Sequence, residues 1–258
     1  MRRIGRSVRA GGLLPDGSRE PTSWGVPQGG PLSPLLAHGM LDDLDKEVER
    51  RGLRCARYAA DFRIVVRSQR AAQRVLQSIS RCIEGPLHLR INPSKRKAAR
   101  LSACPFLGFE LRRGKRHWTH AAVQRFQERG RDRITRSNGR HRTSRLEALK
   151  RYGSGWRNDF GYSHRYAEVV ELDQWLRRRV RRCDWTQWKR PRTRRRHLLA
   201  LGRARDDGTL ATRSRKGYGR RAGHSIVQRA LTTQWLWHQG VPTMRQQWMD
   251  LHDGASAP

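Results

Sequence analysis

Acidic residues are scarce in this 258-residue chain: 22 Asp+Glu stand against 56 Lys+Arg, giving a formal net charge of +34 and a pI near 11.7. Such an excess is far beyond what solubility requires and implies a polyanionic partner. Long apolar runs are missing as well. No stretch approaches the roughly 20 residues that span a bilayer, and Met1–Gly12 lacks the apolar core of a secretion signal. A cytoplasmic protein with no membrane partner is expected. Cysteine is limited to Cys55, Cys82, Cys104 and Cys183, far apart and without a C-x-x-C pair. They fit small buried side chains in a reducing compartment, and no zinc site is assigned. His164, His197 and His224 show no metal spacing either. Arginine greatly exceeds lysine, which suits bidentate phosphate contacts and stacking on bases.

What is present reads in order as follows. Leu13–Gln28 is rich in Gly and Pro, with a short hairpin expected around Asp16-Gly17. "GVPQGGPLSPLL" (Gly25–Leu36) is a glycine turn entering a helix, with Ser33 as N-cap and Pro34 at the first helical position. Leu36, Met40, Leu41, Leu44 and Val48 make one apolar face through to Arg51. Asp42, Asp43, Asp45, Glu47 and Glu49 lie on the other faces and read as solvated charge. Strands are predicted over Leu53–Tyr58 and Phe62–Arg67, with Ala59-Ala60-Asp61 as the turn. Val75, Leu76, Ile79, Cys82 and Ile83 predict a helix from Ser68 to about Ile83, ended by Gly85-Pro86. Leu87–Ile91 and "CPFLGFEL" read as two further strands. Helix, hairpin, helix, strand, strand is an α+β pattern.

After Arg112 the chain becomes Arg-rich and helical, so a domain boundary is placed near residue 112. Ala121–Thr135 is strongly basic, "RSNGRHRTS" interrupts it, and a helix is expected over Ser144–Tyr152. From Tyr166 to Trp188 the positions Val169, Leu172, Trp175, Leu176, Val180 and Cys183 form a stripe. Arg177, Arg178, Arg179, Arg181 and Arg182 occupy the remaining faces, so one side can pack while the other meets phosphate. In "KRPRTRRRH" Pro191 is expected to break the helix and splay Lys189, Arg190, Arg192, Arg194, Arg195 and Arg196 over a loop. This cluster is the leading RNA-contact candidate. A Trp-rich helix is expected over Ile226–His238.

Six pieces in order, GVPQGGPLSPLL, RYAADF (Arg57–Phe62), LRINPSK (Leu89–Lys95), FLGF (Phe106–Phe109), GWRNDF (Gly155–Phe160) and LDQWLRRRVRRCDWTQWKRPRTRRRHL (Leu172–Leu198), carry a resemblance. The chain resembles the reverse transcriptase/maturase proteins encoded by bacterial group II introns. The resemblance implies a partial reverse-transcriptase palm over 1–112, a maturase-specific, thumb-like helical domain over 113–200 and a basic C-terminal extension over 201–258 facing DNA. Fingers and the first half of the palm are expected to be missing. No Cys/His cluster matches the zinc-containing endonuclease domain of some relatives. In the family the Gln28-Gly29-Gly30 turn borders the incoming nucleotide and template. The glycines let the backbone approach a bulky ligand, and Gln28 can hydrogen-bond it. Lys95 is placed near primer or nucleotide phosphates, and Tyr58 in the catalytic hairpin. Phe106, Leu107 and Phe109, with Gly108, are expected to be core beneath the primer grip.

Polymerisation in such enzymes needs two metal ions about 4 Å apart, held by carboxylates. The family's hairpin reads Tyr-Ala-Asp-Asp, and its first aspartate is the principal ligand. Here the residues are Tyr58, Ala59, Ala60 and Asp61, so Ala60 stands at the ligand position. The family's second carboxylate lies upstream of the glycine turn, where this chain has only Asp16 and Glu20, neither in a matching motif. Asp61 is thus a weak catalytic and metal-ligand candidate, against the competing reading of a turn aspartate bonding its own backbone. Among the tryptophans interleaved with arginines, Trp175 is assigned to packing. Trp185 and Trp188 stay open between packing and base stacking. Asp159 stands where relatives carry an aromatic residue.

Three readings follow. One is a protein that binds intron RNA to assist splicing, with polymerase activity lost or impaired and no cofactor. Another is an active, Mg²⁺-dependent RNA-directed DNA polymerase completed by a second chain, with target DNA as a further partner. The last is a non-functional remnant of a mobile element.

Overall fold

The computed structural model describes residues 11–13, 16–20, 32–135, 139, 141–206, 209 and 217–253. Two compact units divide the chain, Met1–Leu101 and Ser102–Pro258. In the first, β1 (Gly12–Leu13) and β2 (Arg19–Glu20) pair antiparallel. Asp16 Oδ1 accepts from the Ser18 N–H and hydroxyl in the intervening turn, and Gly17 takes the left-handed φ of +83° that the turn requires.

Helix α1 spans Ser33–Arg50. Leu32 holds the N-cap position with no side-chain hydrogen bond, so Ser33 lies inside the first turn instead of capping it, while Pro34 sits in that turn as its fixed φ favours. The buried stripe is narrower than the apolar pattern: Leu41, Leu44 and Val48 are buried, whereas Met40 is half-exposed. Strands β3 (Arg54–Tyr58) and β4 (Asp61–Val65) form an antiparallel hairpin whose register runs from Arg54↔Val65 to Tyr58↔Asp61. Its loop is only Ala59-Ala60, with Ala59 at φ 52°, because a two-residue hairpin needs a left-handed residue to match the strand twist. Asp61 therefore opens β4 and is not a turn residue.

Helix α2 (Gln69–Glu84) starts at Ser68, whose hydroxyl oxygen accepts from the Ala71 N–H at 3.2 Å, and stops at Gly85. Ile79 and Ile83 meet the α1 stripe, with Phe62, Ile64 and Val75 packed around them. The strand expected over Leu87–Ile91 does not form. Leu87, Leu89 and Ile91 lean on this core at every second position, but the only bond made here to the preceding helix is Leu89 N–H to the Ile83 carbonyl at 3.0 Å. Alternation is satisfied by packing, without a ladder.

At the start of the second unit "CPFLGFEL" is a turn followed by a strand and not one continuous strand. Leu107 (φ 51°) and Gly108 (φ 81°) make a tight turn across which Phe106 and Phe109 exchange backbone hydrogen bonds of 2.8 and 2.9 Å. Only β5 (Phe109–Arg112) is strand, paired with β6 (Lys115–Trp118) around left-handed Arg113 and Gly114. The charged sequence of β6 hid it from periodicity. Leu107 is exposed, not core. A Cβ on Gly108 would fall 2.5 Å from the Phe160 ring, so this glycine is needed twice.

Helix α3 (His120–Ile134) is capped by Thr119, which accepts from Ala122 N–H at 3.2 Å. Next come α4 (Arg142–Phe160), α5 (Tyr166–Gln187) and α6 (Pro191–Ala200). α4 runs well past Tyr152, since Leu146, Leu149, Gly153 and Trp156 continue its buried stripe. Phe126 is fully buried among Tyr152, Trp156 and Trp175. Further on, the described residues form the short helices α7 (Tyr218–Arg221), α8 (Ser225–Ala230), α9 (Thr233–His238) and α10 (Met244–Asp253). The single helix expected over Ile226–His238 is split, because Thr232 caps α9 by accepting from Trp235 N–H at 3.1 Å.

Leu236, Val241 and Met244 complete the main core, and Ile226, Val227 and Leu231 enclose Trp185 and Leu198 in another. The β5–β6 hairpin belongs to this unit through Trp118 and Phe109, so the compact units meet at Leu101/Ser102 although composition shifts near Arg112. The outcome is an α+β chain, hairpins and helices followed by a helical body. No helix among the described residues is long and apolar enough to cross a membrane.

Candidate nucleic-acid interface

At the hairpin end, Tyr58 is exposed and Asp61 stands directly across from it. The Asp61 carboxylate accepts from the Arg63 guanidinium, two residues along the same strand, so it bonds a neighbouring side chain and not its own backbone. Arg57, which sequence reasoning passed over, braces the loop. Its guanidinium binds Asp45 of α1, reaches the Ala59 carbonyl at 3.1 Å and meets His38 Nδ1 at 3.2 Å. The acidic face of α1 is accordingly not simply solvated: Asp42 pairs with Lys46 and Glu47 with Arg50 and Arg51.

Magnesium-pair chemistry needs convergent free carboxylates. Among the described residues no group of three or more His, Cys, Asp or Glu side chains is arranged to hold a metal ion. Asp61, neutralised by Arg63 and followed by no second acid, does not fit the ion pair. Lys95 is exposed on the Asn92 turn, where its N–H donates to the Asn92 carbonyl at 3.1 Å and Asn92 Oδ1 accepts from Ser94. Gln28, Gly29 and Gly30 lie outside the described residues.

The nine basic residues expected to contact RNA divide into two sets. Arg178, Lys189, Arg190, Arg192, Arg195 and Arg196 are exposed. Arg181 and Arg194 are only 8% and 4% exposed and serve the interior. Arg181 Nε donates to the Leu231 carbonyl at 2.8 Å, and burial pushes its guanidinium below the usual range. Arg194 lies over the rings of Trp185 and Tyr218, at 5.2 and 5.4 Å. Arg177 is half-buried and ion-paired to Asp173, a buried carboxyl raised by desolvation that also accepts from the Met244 N–H at 3.0 Å. These three position structure while the first six face solvent.

Pro191 does not splay the cluster over a loop. It starts α6, because proline costs nothing at the first helical turn where its missing N–H would be unpaired anyway. The exposed arginines are therefore presented by a helix and its N-terminal approach. Trp185 is fully buried, which settles it as packing; Trp188 stacks on His197 at 4.5 Å. Burial and then the Arg196 charge hold that histidine below its ordinary value, favouring a neutral ring. Trp175 packs on the core as assigned, and Asp159 is exposed at the end of α4.

An array of solvated guanidiniums on a helical body is the kind of surface that meets a polyanion such as nucleic acid. Residues 14–111 match the family described as reverse transcriptase (RNA-dependent DNA polymerase), and residues 123–202 match the group II intron, maturase-specific domain. In that order, the two matches show that the chain belongs to the group II intron reverse transcriptase/maturase family, with a maturase-like function. Reverse transcriptases of this kind generally use Mg²⁺. No curated protein matches the chain.

Proposed function

We propose that this chain binds group II intron RNA in the cytoplasm to assist splicing and that its polymerase activity is lost or impaired. One contrast carries the reading: a cluster of exposed basic side chains around α5 and α6, against a hairpin whose only acid, Asp61, is bound to Arg63. On this reading Arg178, Lys189, Arg190, Arg192, Arg195 and Arg196 take backbone phosphates. They release condensed counterions and bring intron strands together that would otherwise repel. Residues 1–112 serve as a partial palm, 113–200 as the RNA-gripping thumb, and 201–258 as an extension that also meets target DNA. Gln28, Gly29, Gly30, Tyr58 and Lys95 keep template or nucleotide contacts without turnover.

Binding of the full chain to a group II intron RNA, measured against salt, tests the first half. Changing Arg190, Arg192, Arg195 and Arg196 together to Gln is expected to flatten the log–log salt slope by about 3, at roughly 0.7–0.9 per phosphate. An unchanged slope would sink it. Primer extension with Mg²⁺ on an RNA template tests the second half. No product is expected from the parent chain, and product would overturn the loss of polymerase. Product formed only after mixing with a polypeptide carrying the upstream palm carboxylate would support completion by a second chain instead.

A further inference from the structure

Away from the exposed basic cluster around α6, the joint between α4 and α5 places two tyrosines in solvent: Tyr162, in the connection, is 50% exposed and Tyr166, the first residue of α5, 37%. Both flank a short stretch fixed from two sides. Against β6, His164 N–H donates to the Arg116 carbonyl at 2.9 Å, and Arg116 N–H donates back to His164 Nδ1 at 3.3 Å. Against α10, Trp248 Nε1–H donates to the Ser163 carbonyl at 2.7 Å. Each tyrosine ring carries a guanidinium: Arg116 is 5.6 Å from the centre of Tyr162, and Arg245 is 5.7 Å from that of Tyr166. Trp248 continues the aromatic surface, tilted against Tyr166 at 5.3 Å and stacked on His252 at 3.9 Å.

Basic side chains predominate here. Among the described residues Arg116 and Arg245 form no direct ion pair, although Arg245 feels the buried Asp173 carboxyl, and the neighbouring Glu168 is already engaged by Arg165 at 3.4 Å. Burial, and then the charges of Arg116, His252, Lys115 and His117, hold His164 below its ordinary value. The half of each phenol ring left in water adds nothing to the fold by burial. Set on a hydrogen-bonded seat beside exposed guanidiniums, they match the chemistry by which unpaired bases stack while their phosphates are held.

We propose that Tyr162 and Tyr166, with Arg116 and Arg245, form a second nucleic-acid contact that takes unpaired bases of a single strand. This rests on the reading of the chain as a nucleic-acid binder but not on the α6 cluster. Anisotropy of labelled polyuridine, polythymidine and a poly(A)·poly(U) duplex, with the full chain, tests it. Changing both residues, Tyr162→Ala and Tyr166→Ala, is expected to weaken binding to the single strands roughly tenfold or more. Duplex affinity should stay unchanged, which also shows that the variant is folded. Tyr162→Phe with Tyr166→Phe should bind like the parent, because stacking needs the ring and not the hydroxyl. Loss confined to polyuridine would assign the contact to RNA, and loss on both single strands to either nucleic acid. Equal weakening on duplex and single strands, or no weakening, overturns the inference. A parent chain that bound none of the probes would overturn the nucleic-acid reading itself.

Discussion

The unit ending at Leu101 and the unit beginning at Ser102 use charge differently. In the first, Arg57 and Asp45 tie hairpin to helix through a pair still partly in water, and Asp61–Arg63 lies at the surface. In the second, Asp184 is buried and grips Arg142 through bonds of 2.7 and 3.0 Å, while Asp173 is buried against Arg177. A chain with so few acids spends its best-buried ones inside the helical body, and each neutralises an arginine that sequence alone would count as available for phosphate. The teaching is that a basic protein's binding charge is what remains after its interior has been satisfied.

This contrast can be broken most directly at Asp184. Asp184→Ala would leave Arg142 without its partner in a desolvated setting and should cost about 3 kcal/mol, read by urea denaturation. Asp45→Ala, the matching cut in the first unit, should cost no more than about 1 kcal/mol, as a partly solvated pair does. Equal costs would erase the distinction. Gly108→Ala should fall between them, at about 1–3 kcal/mol, since it combines a left-handed φ with a clash against Phe160. The smallest effect is expected from acid. The guanidiniums of Arg50 and Arg51 hold Glu47 from 4.5 down to about 2. A folded pKa below the unfolded one gives stabilisation that is present above about pH 4.5 and fades as pH falls through about 2. NMR titration of the Glu47 carboxyl checks it, with Glu47→Gln removing the dependence.

Periodicity made much of this legible. The hairpin between Tyr58 and Phe62, the helix from Ser68 to about Ile83, and the α5 stripe from Val169 to Val180 all follow from local spacing and turn chemistry. What failed had identifiable causes. Pro191 carries the same letter whether it breaks a helix or starts one, and only the chain before it decides. Leu87–Ile91 alternates as a strand would, yet alternation records a half-buried face and not a hydrogen-bonded partner. Arg181 and Arg194 looked like solvent-facing charge because the acceptor for one, Leu231, and a ring for the other, Tyr218, lie far along the chain. Tyr162, Tyr166 and Arg245 escaped notice for the same reason: α10 brings Arg245 to Tyr166 from the far end of the sequence.

The membership of the β5–β6 hairpin has a practical consequence for anyone who would express the chain as two separate polypeptides. A cut at the compositional shift near Arg112 would pass through the hairpin's turn, parting Arg112 from Lys115 and exposing the unpaired edge of β6. It would also strip Phe109 from its place 5.5 Å from the Phe160 ring. A cut between Leu101 and Ser102 would leave both strands, the Gly108 turn and Trp118 on the same piece as the helices they pack against. That is the junction at which halves of related proteins should be exchanged.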